Sequence, residues 1–223
     1  MAPTWLSRLE RIKPTFTALA APATLIQRPV ASNERAMTSD KTVLRAQMRA
    51  LRRNLSDASP DAAGRVADHA ASLPPGREVA VYRAMGSEMD VAPLAQALLR
   101  QGHRLSLPVV VRRDEAMIFR RWTPGDPLEP DLAGCPSPLP LADTVVPDLV
   151  LVPLLAFDNT GARLGQGGGH YDRTLAQLRR STAVLAIGLA YAGQRLDRLP
   201  IEAHDQGLDG ILTESGYIPA RKV

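Results

Sequence analysis

The segment Asp148-Leu-Val-Leu-Val-Pro-Leu-Leu155, followed after a seven-residue gap by Arg163-Leu-Gly165-Gln-Gly167-Gly168-Gly169-His170-Tyr171-Asp172-Arg173, decides the fold class. Its first part is a nearly continuous apolar run, the pattern of a strand buried on both faces of a sheet. The glycine-rich stretch after it opens into a helical pattern over residues 170–180. Strand, glycine-rich loop and helix in that order mark the place where open α/β sheets bind ligands. Four glycines let the backbone approach a phosphate and turn N–H groups inward. The following helix start adds its positive dipole end. Arg163 can grip phosphate oxygens, and Asp172 can hold an accompanying Mg²⁺. The loop lacks the Gly-Lys-Ser/Thr ending of a Walker loop and the glycine spacing of a dinucleotide fingerprint, so a nicotinamide cofactor is not expected.

Outward from this segment, strands alternate with helices. Upstream, residues 41–55 carry Leu44, Met48, Leu51 and Leu55 at helical spacing, with Asp40 as N-cap. A second helix is expected from Ser59-Pro60-Asp61 to residue 73, stopped by Pro74-Pro75-Gly76. Residues 78–83 read as a short strand, and Asp90 caps a helix that ends at Gly102. Residues 104–111 and 116–122 read as strands, and 123–146 as a long surface connection rich in Pro, Gly and Asp. Downstream, residues 183–190 and 210–213 complete the strands. The pattern predicts a layered α/β/α, Rossmann-like single domain with a mostly parallel sheet.

Composition bounds the function. The 223 residues are 45% hydrophobic and 22% charged, an ordinary globular balance. A net charge of +4 is too small and dispersed to argue for nucleic acid. Cys135 is the single cysteine, which excludes an internal disulfide framework and suits a reducing compartment. With no second Cys or His beside it, Cys135 is read as structural. No run reaches the ~18 apolar residues of a membrane span.

The stretch from Pro147 to Leu178 resembles the signature of the 5-formyltetrahydrofolate cyclo-ligase family, also called 5,10-methenyltetrahydrofolate synthetases. Three further pieces fall in that family's order: Lys41-x-x-x-Arg45, the segment 82–90 with Glu88, and Glu202-Ala-His204-Asp205 followed by 209–214. The resemblance covers roughly residues 40–216. It implies an ATP- and Mg²⁺-dependent enzyme that joins 5-formyltetrahydrofolate and ATP to give 5,10-methenyltetrahydrofolate, ADP and phosphate. Such chemistry asks for positioning and charge neutralisation more than for a covalent nucleophile.

Residue roles follow from the same resemblance. Lys41 and Arg45 share a helix face; spacing alone leaves a solvated charged face open, and the resemblance assigns them to ATP. Arg163, Leu164, Gly165, Gln166, Gly167, Gly168, Gly169, His170 and Tyr171 form the rest of the ATP site. Asp205 joins Asp172 as a Mg²⁺ ligand. Glu88 is expected to accept the N–H donors of a pterin ring, with Arg83 a weaker substrate contact. Trp122 is expected to pack in the core rather than stack on the folate. Arg163 and Tyr171 are the expected catalytic pair, although packing at the helix start is an equal reading for Tyr171. His204 is read as local structure.

Two departures from the family pattern stand out. Gln166 replaces an aromatic or basic residue, and Ser137 stands where a glutamate is frequent. His170 replaces an aromatic but keeps a flat ring. These leave open a nucleotide-binding relative with another small substrate, or a non-catalytic metabolite-binding protein. Residues 1–37 are expected to be an extension, unstructured or preceding a true start at Met37, with the cyclo-ligase-like domain over 38–218. The extension carries Arg8, Arg11, Lys13, Arg28 and Arg35 against Glu10 and Glu34, a composition vaguely like a transit peptide. A cytoplasmic location is expected, or an organelle matrix if the segment acts in transit. No obligate protein partner is evident.

Overall fold

Leu149, Val150, Leu151 and Val152 are all buried, yet they belong alternately to two different cores, as the two-residue period of a strand requires. In the computed structural model, which describes residues 31–221, this strand lies in the middle of an eight-stranded sheet. The elements run α1 (Ala31–Ala58), α2 (Ala62–Asp68), β1 (Glu78–Ala80), α3 (Ala92–Arg100), β2 (Arg104–Val109) and β3 (Ile118–Arg121). There follow β4 (Leu128–Pro130), β5 (Pro136–Pro138), β6 (Thr144–Val145), β7 (Leu149–Pro153), β8 (Ala156–Phe157) and β9 (Arg163–Leu164). The chain closes with α4 (His170–Ser181), β10 (Leu185–Leu189), β11 (Gly210–Thr213) and β12 (Gly216–Pro219).

The sheet order is β12-β11-β10-β7-β1-β2-β3-β6. The five strands from β11 to β2 are parallel, while β12, β3 and β6 extend the edges antiparallel. Leu149, Leu151, Ile187 and Leu189 face Val66, Leu94 and Leu98 of α2 and α3. Val150, Val152, Ala186 and Ile211 face Leu175 of α4 on the opposite side. Helices on both faces of a mostly parallel sheet make the expected three-layer α/β/α fold. A third cluster seats α1: Met48, with Leu44 and Leu51, packs on Leu155, Ala156, Leu164 and Leu199. Each fully buried Leu of this kind contributes about 1.5–3 kcal/mol.

Several boundaries differ from expectation. Helix α1 begins at Ala31, inside the expected extension, so Asp40 is an interior residue and not an N-cap. No Gly or Pro interrupts residues 31–58, and the helix stops just before Pro60, which disfavours helical geometry ahead of it. Residues 1–30 lie outside the described residues. The second helix starts at Ala62 and gives way to a short 3₁₀ turn at Ala70–Ser72. The N-cap of α3 is Val91 and not the expected Asp90, which stands one residue earlier and accepts the Ala92 N–H on its Oδ1 at 3.0 Å. The connection at 123–146 contains a β4–β5 hairpin and the edge strand β6. Pro130, Pro136 and Pro138 hid that hairpin, because proline cannot donate to a ladder and signals loop.

Candidate active site

The parallel strands β1, β2 and β7 end together at a cleft with a cavity volume of about 300 Å³. After β7 the chain makes the β8–β9 hairpin and enters the glycine-rich loop, which forms one wall. Gly167 and Gly169 have φ of +102° and +66°, the left-handed region that favours glycine. Gly169 is the residue from which α4 starts. At Gly165 a Cβ would meet no protein atom within 4 Å, so open space adjoins its backbone.

Helix α1 brings a basic face along this loop. Lys41 Nζ lies 2.8 Å from Asp205 Oδ2 and 3.3 Å from Glu202 Oε1. One turn on, Arg45 Nε donates to the Gly165 carbonyl at 3.1 Å, and its guanidinium lies beside Gly167. A further turn on, Arg49 Nε donates to Gln166 Oε1 at 2.9 Å. Arg163, on β9, pairs with Asp172 Oδ1 at 2.7 Å and donates to the Gln206 carbonyl. The same Asp172 oxygen accepts the Gln206 N–H at 2.9 Å, which stitches the start of α4 to the loop containing Asp205.

Burial is the largest influence on Asp205 and pushes its carboxyl up. The Lys41 hydrogen bond, the Glu202 N–H and the charges of Lys41 and His204 outweigh it and hold the carboxyl below its ordinary value. His170 is lowered by burial first and by Arg173 second, so its ring faces the cleft as neutral imidazole near pH 7. Its Nδ1 lies 3.2 Å from the Arg173 guanidinium, which clasps the carbonyls of Gly168 and Arg113.

The opposite wall carries the expected folate residues. Glu88 Oε2 accepts the Met85 N–H at 3.0 Å, and Oε1 lies 3.5 Å from Arg52. Burial pushes the Glu88 carboxyl up, against the Met85 N–H and Arg52, which lower it. Arg52 is only 7% exposed in its side chain and also reaches Ser87 Oγ and the Leu154 carbonyl. Tyr171 projects into the cleft from α4, and among the described residues its hydroxyl makes no hydrogen bond. Burial, then the charge of Glu88, push its phenol far above the ordinary value, so it stays a neutral donor. Trp122 is buried in the core and takes Arg83 over its ring at 5.9 Å, holding that guanidinium from behind.

Every residue expected from the sequence to bind ATP, substrate or metal lines this one cleft: Lys41, Arg45, Arg83, Glu88, the run 163–172 and Asp205. Arg52, Met85, Asp131 and Cys135 also line it and were missed. Arg52 could have been found, since it lies eleven residues, close to three turns, after Lys41 and so on the same helix face. Cys135 reached the wall only through the β4–β5 hairpin, where its Sγ meets Met85 Sδ at 3.5 Å. Ser137 is buried in that hairpin and donates to the Glu129 carbonyl, away from the cleft lining.

The donor set suits a hard divalent cation, which prefers oxygen. Glu202, His204 and Asp205 present ligand atoms within 4.8 Å of one another, and Lys41 Nζ sits against Glu202 and Asp205 there. Asp172 stands outside that group, joined to it through the Gln206 N–H, with its Oδ2 unengaged among the described residues. Cationic side chains, a glycine-rich backbone, carboxylates and a phenol line one cleft, a set of groups chemically able to bring a polyphosphate to a polar heterocycle.

A sequence model of the 5-formyltetrahydrofolate cyclo-ligase family matches residues 37–214. The 5-formyltetrahydrofolate cyclo-ligase of Haemophilus influenzae is 33% identical over 184 residues, 78% of this chain and 98% of that protein. That of Mycolicibacterium smegmatis is 38% identical over 153 residues, 65% of this chain and 77% of that protein. Among solved structures, the 5,10-methenyltetrahydrofolate synthetase of Mycoplasma pneumoniae superposes with a TM-score of 0.62 at 27% identity, covering 78% of this chain and 99% of that one. The solution structure of the Aquifex aeolicus synthetase gives 0.63 at 30% identity, covering 81% and 93%.

Proposed function

Because the chain belongs to the 5-formyltetrahydrofolate cyclo-ligase family, we propose that it closes 5-formyltetrahydrofolate to 5,10-methenyltetrahydrofolate, consuming ATP with Mg²⁺ and releasing ADP and phosphate. The observation that carries this reading is the single cleft that Arg45, Arg163, the glycine-rich loop, Tyr171 and Glu88 line together. The catalytic unit is taken as residues 38–218, with no obligate protein partner. Among the described residues no helix is long and apolar enough to cross a membrane.

In this reading the backbone of residues 165–169, with Lys41, Arg45 and Arg163, holds the triphosphate. Glu88 accepts pterin N–H groups and fixes the ring, with Arg83 beside it. The formyl oxygen attacks the γ-phosphate and ADP leaves. N10 then closes on the activated carbon, losing its proton, and phosphate departs with the former formyl oxygen. Tyr171 donates to the oxygen that gathers charge, and burial keeps its proton in place. Asp172 and Asp205 would hold Mg²⁺, which when bound neutralises polyphosphate charge.

The direct test is absorbance in the methenyl-folate band after mixing the protein with 5-formyltetrahydrofolate, ATP and Mg²⁺. A rise that needs both ATP and Mg²⁺ is the expected result. A flat trace from folded protein that binds ATP would mean another substrate, and folded protein indifferent to ATP would mean a non-catalytic role.

A further inference from the structure

Arg83 aside, whose guanidinium lies over the Trp122 ring, the cations that line the cleft and Arg49, which reaches the lining residue Gln166 from just outside it, fall into two kinds. Lys41, Arg52 and Arg163 each face a carboxylate, on Asp205, Glu88 and Asp172 respectively. Arg45 and Arg49 are held by neutral oxygens only: Arg45 by the Gly165 carbonyl, Arg49 by the Gln166 side chain at 2.9 Å and its carbonyl at 3.5 Å. Neither forms an ion pair among the described residues. Both use Nε to hook onto consecutive residues of the same loop, one helical turn apart on α1. A guanidinium has five N–H donors in one plane, so these hooks leave most terminal N–H groups available. A neutral anchor fixes the plane and leaves the positive charge uncancelled, which favours an oxyanion ligand.

The geometry points to Arg49, seated by Gln166, as a further phosphate-binding residue that acts beside Arg45 on the nucleotide's polyphosphate. The proposal rests on the reading that the glycine-rich loop takes ATP. It also gives Gln166 a role: the position carries no charge itself, and its amide oxygen orients a charge delivered from α1. An uncharged residue at 166 therefore costs the site no cation.

The test is calorimetric binding of ATP and AMP, each with Mg²⁺, to the full chain and to Arg49→Ala, Arg49→Lys, Gln166→Ala and the Arg49→Ala/Gln166→Ala double variant. Arg49→Ala is expected to weaken ATP by about tenfold, the value of one charge-assisted contact, and AMP by less than about twofold. Arg49→Lys should recover part of the loss. Gln166→Ala should lose part of the same affinity and add little on top of Arg49→Ala, because the two act as one unit. Unchanged ATP affinity in Arg49→Ala, equal losses for ATP and AMP, or fully additive losses in the double variant would each overturn the assignment. A clasp that only joins helix to loop would lower thermal stability without separating ATP from AMP. Folded wild-type protein that does not bind ATP would instead remove the reading of the loop itself, a result distinct from an ATP-binding protein indifferent to Arg49.

Discussion

Lys41 Nζ and Asp205 Oδ2 lie 2.8 Å apart across 164 residues of sequence, locking the first helix to the last long loop. The lysine side chain is only 7% exposed, and a lysine so buried needs a partner. Helix α1 and the loop before β11 thereby close one cleft over the middle strands.

Replacing Lys41 with Met should raise the KM for ATP by about tenfold and leave that for 5-formyltetrahydrofolate nearly unchanged. The reverse pattern in steady-state kinetics would remove Lys41 from the nucleotide side. Stability should drop by about 1–3 kcal/mol, less than for a fully buried pair because Asp205 is partly exposed. The Asp205 carboxyl is held below its ordinary 3.8, so its contribution is present above that value and lost as pH falls through the lower folded value. Acid unfolding of the Lys41→Met protein should lack that component.

Asp172→Asn separates charge from scaffold. An amide oxygen can still accept from Arg163 and the Gln206 N–H, so the thermal midpoint should move little. Turnover should fall by at least about 100-fold, since one carboxylate of a metal site supplies several kcal/mol of charge stabilisation. Asp172→Ala should lose both turnover and stability. Near-normal turnover in the Asn variant would place the aspartate outside the chemistry.

Glu88 should give folate binding a pH dependence. Burial lifts its carboxyl above the ordinary 4.5, so the folded state holds that proton more tightly than the unfolded chain. Between 4.5 and the higher folded value, rising pH therefore lowers stability, and above the folded value the loss is complete. Folate affinity should rise over the same window as the acceptor ionises. Calorimetry with Glu88→Gln should show both slopes flattened; an unchanged profile would exclude Glu88 as the titrating group.

Tyr171→Phe should lower kcat by a factor on the order of 100 and leave both KM values within about threefold, the signature of a donor used in the transition state. The phenol stays protonated through the working range, so wild-type activity should show no alkaline limb from Tyr171. A change confined to KM would make it a packing residue.

Much of the fold was legible because hydrophobic periodicity is local. The continuous apolar run at 149–152, the glycine cluster at 165–169 and the helix that follows it all announce themselves without reference to distant residues. The β4–β5 hairpin and β12 were not legible, being short and proline-bearing. Gln166 stood out in the sequence only as a departure from an aromatic or basic residue; its contact with Arg49, 117 positions away, is visible only in the fold.

By itself, then, the sequence determined the layered sheet and the glycine-rich loop after its central strand, since these depend on spacing over a few turns of chain, while the charged residues of interest were marked only by the family resemblance. Which charges face which partner was decided only by tertiary structure. Although Arg163 pairs with Asp172 only nine positions away, other contacts join residues 35 to 164 positions apart, as Arg52 with Ser87 and Lys41 with Asp205, and their strength depends on distance and burial that no local pattern records.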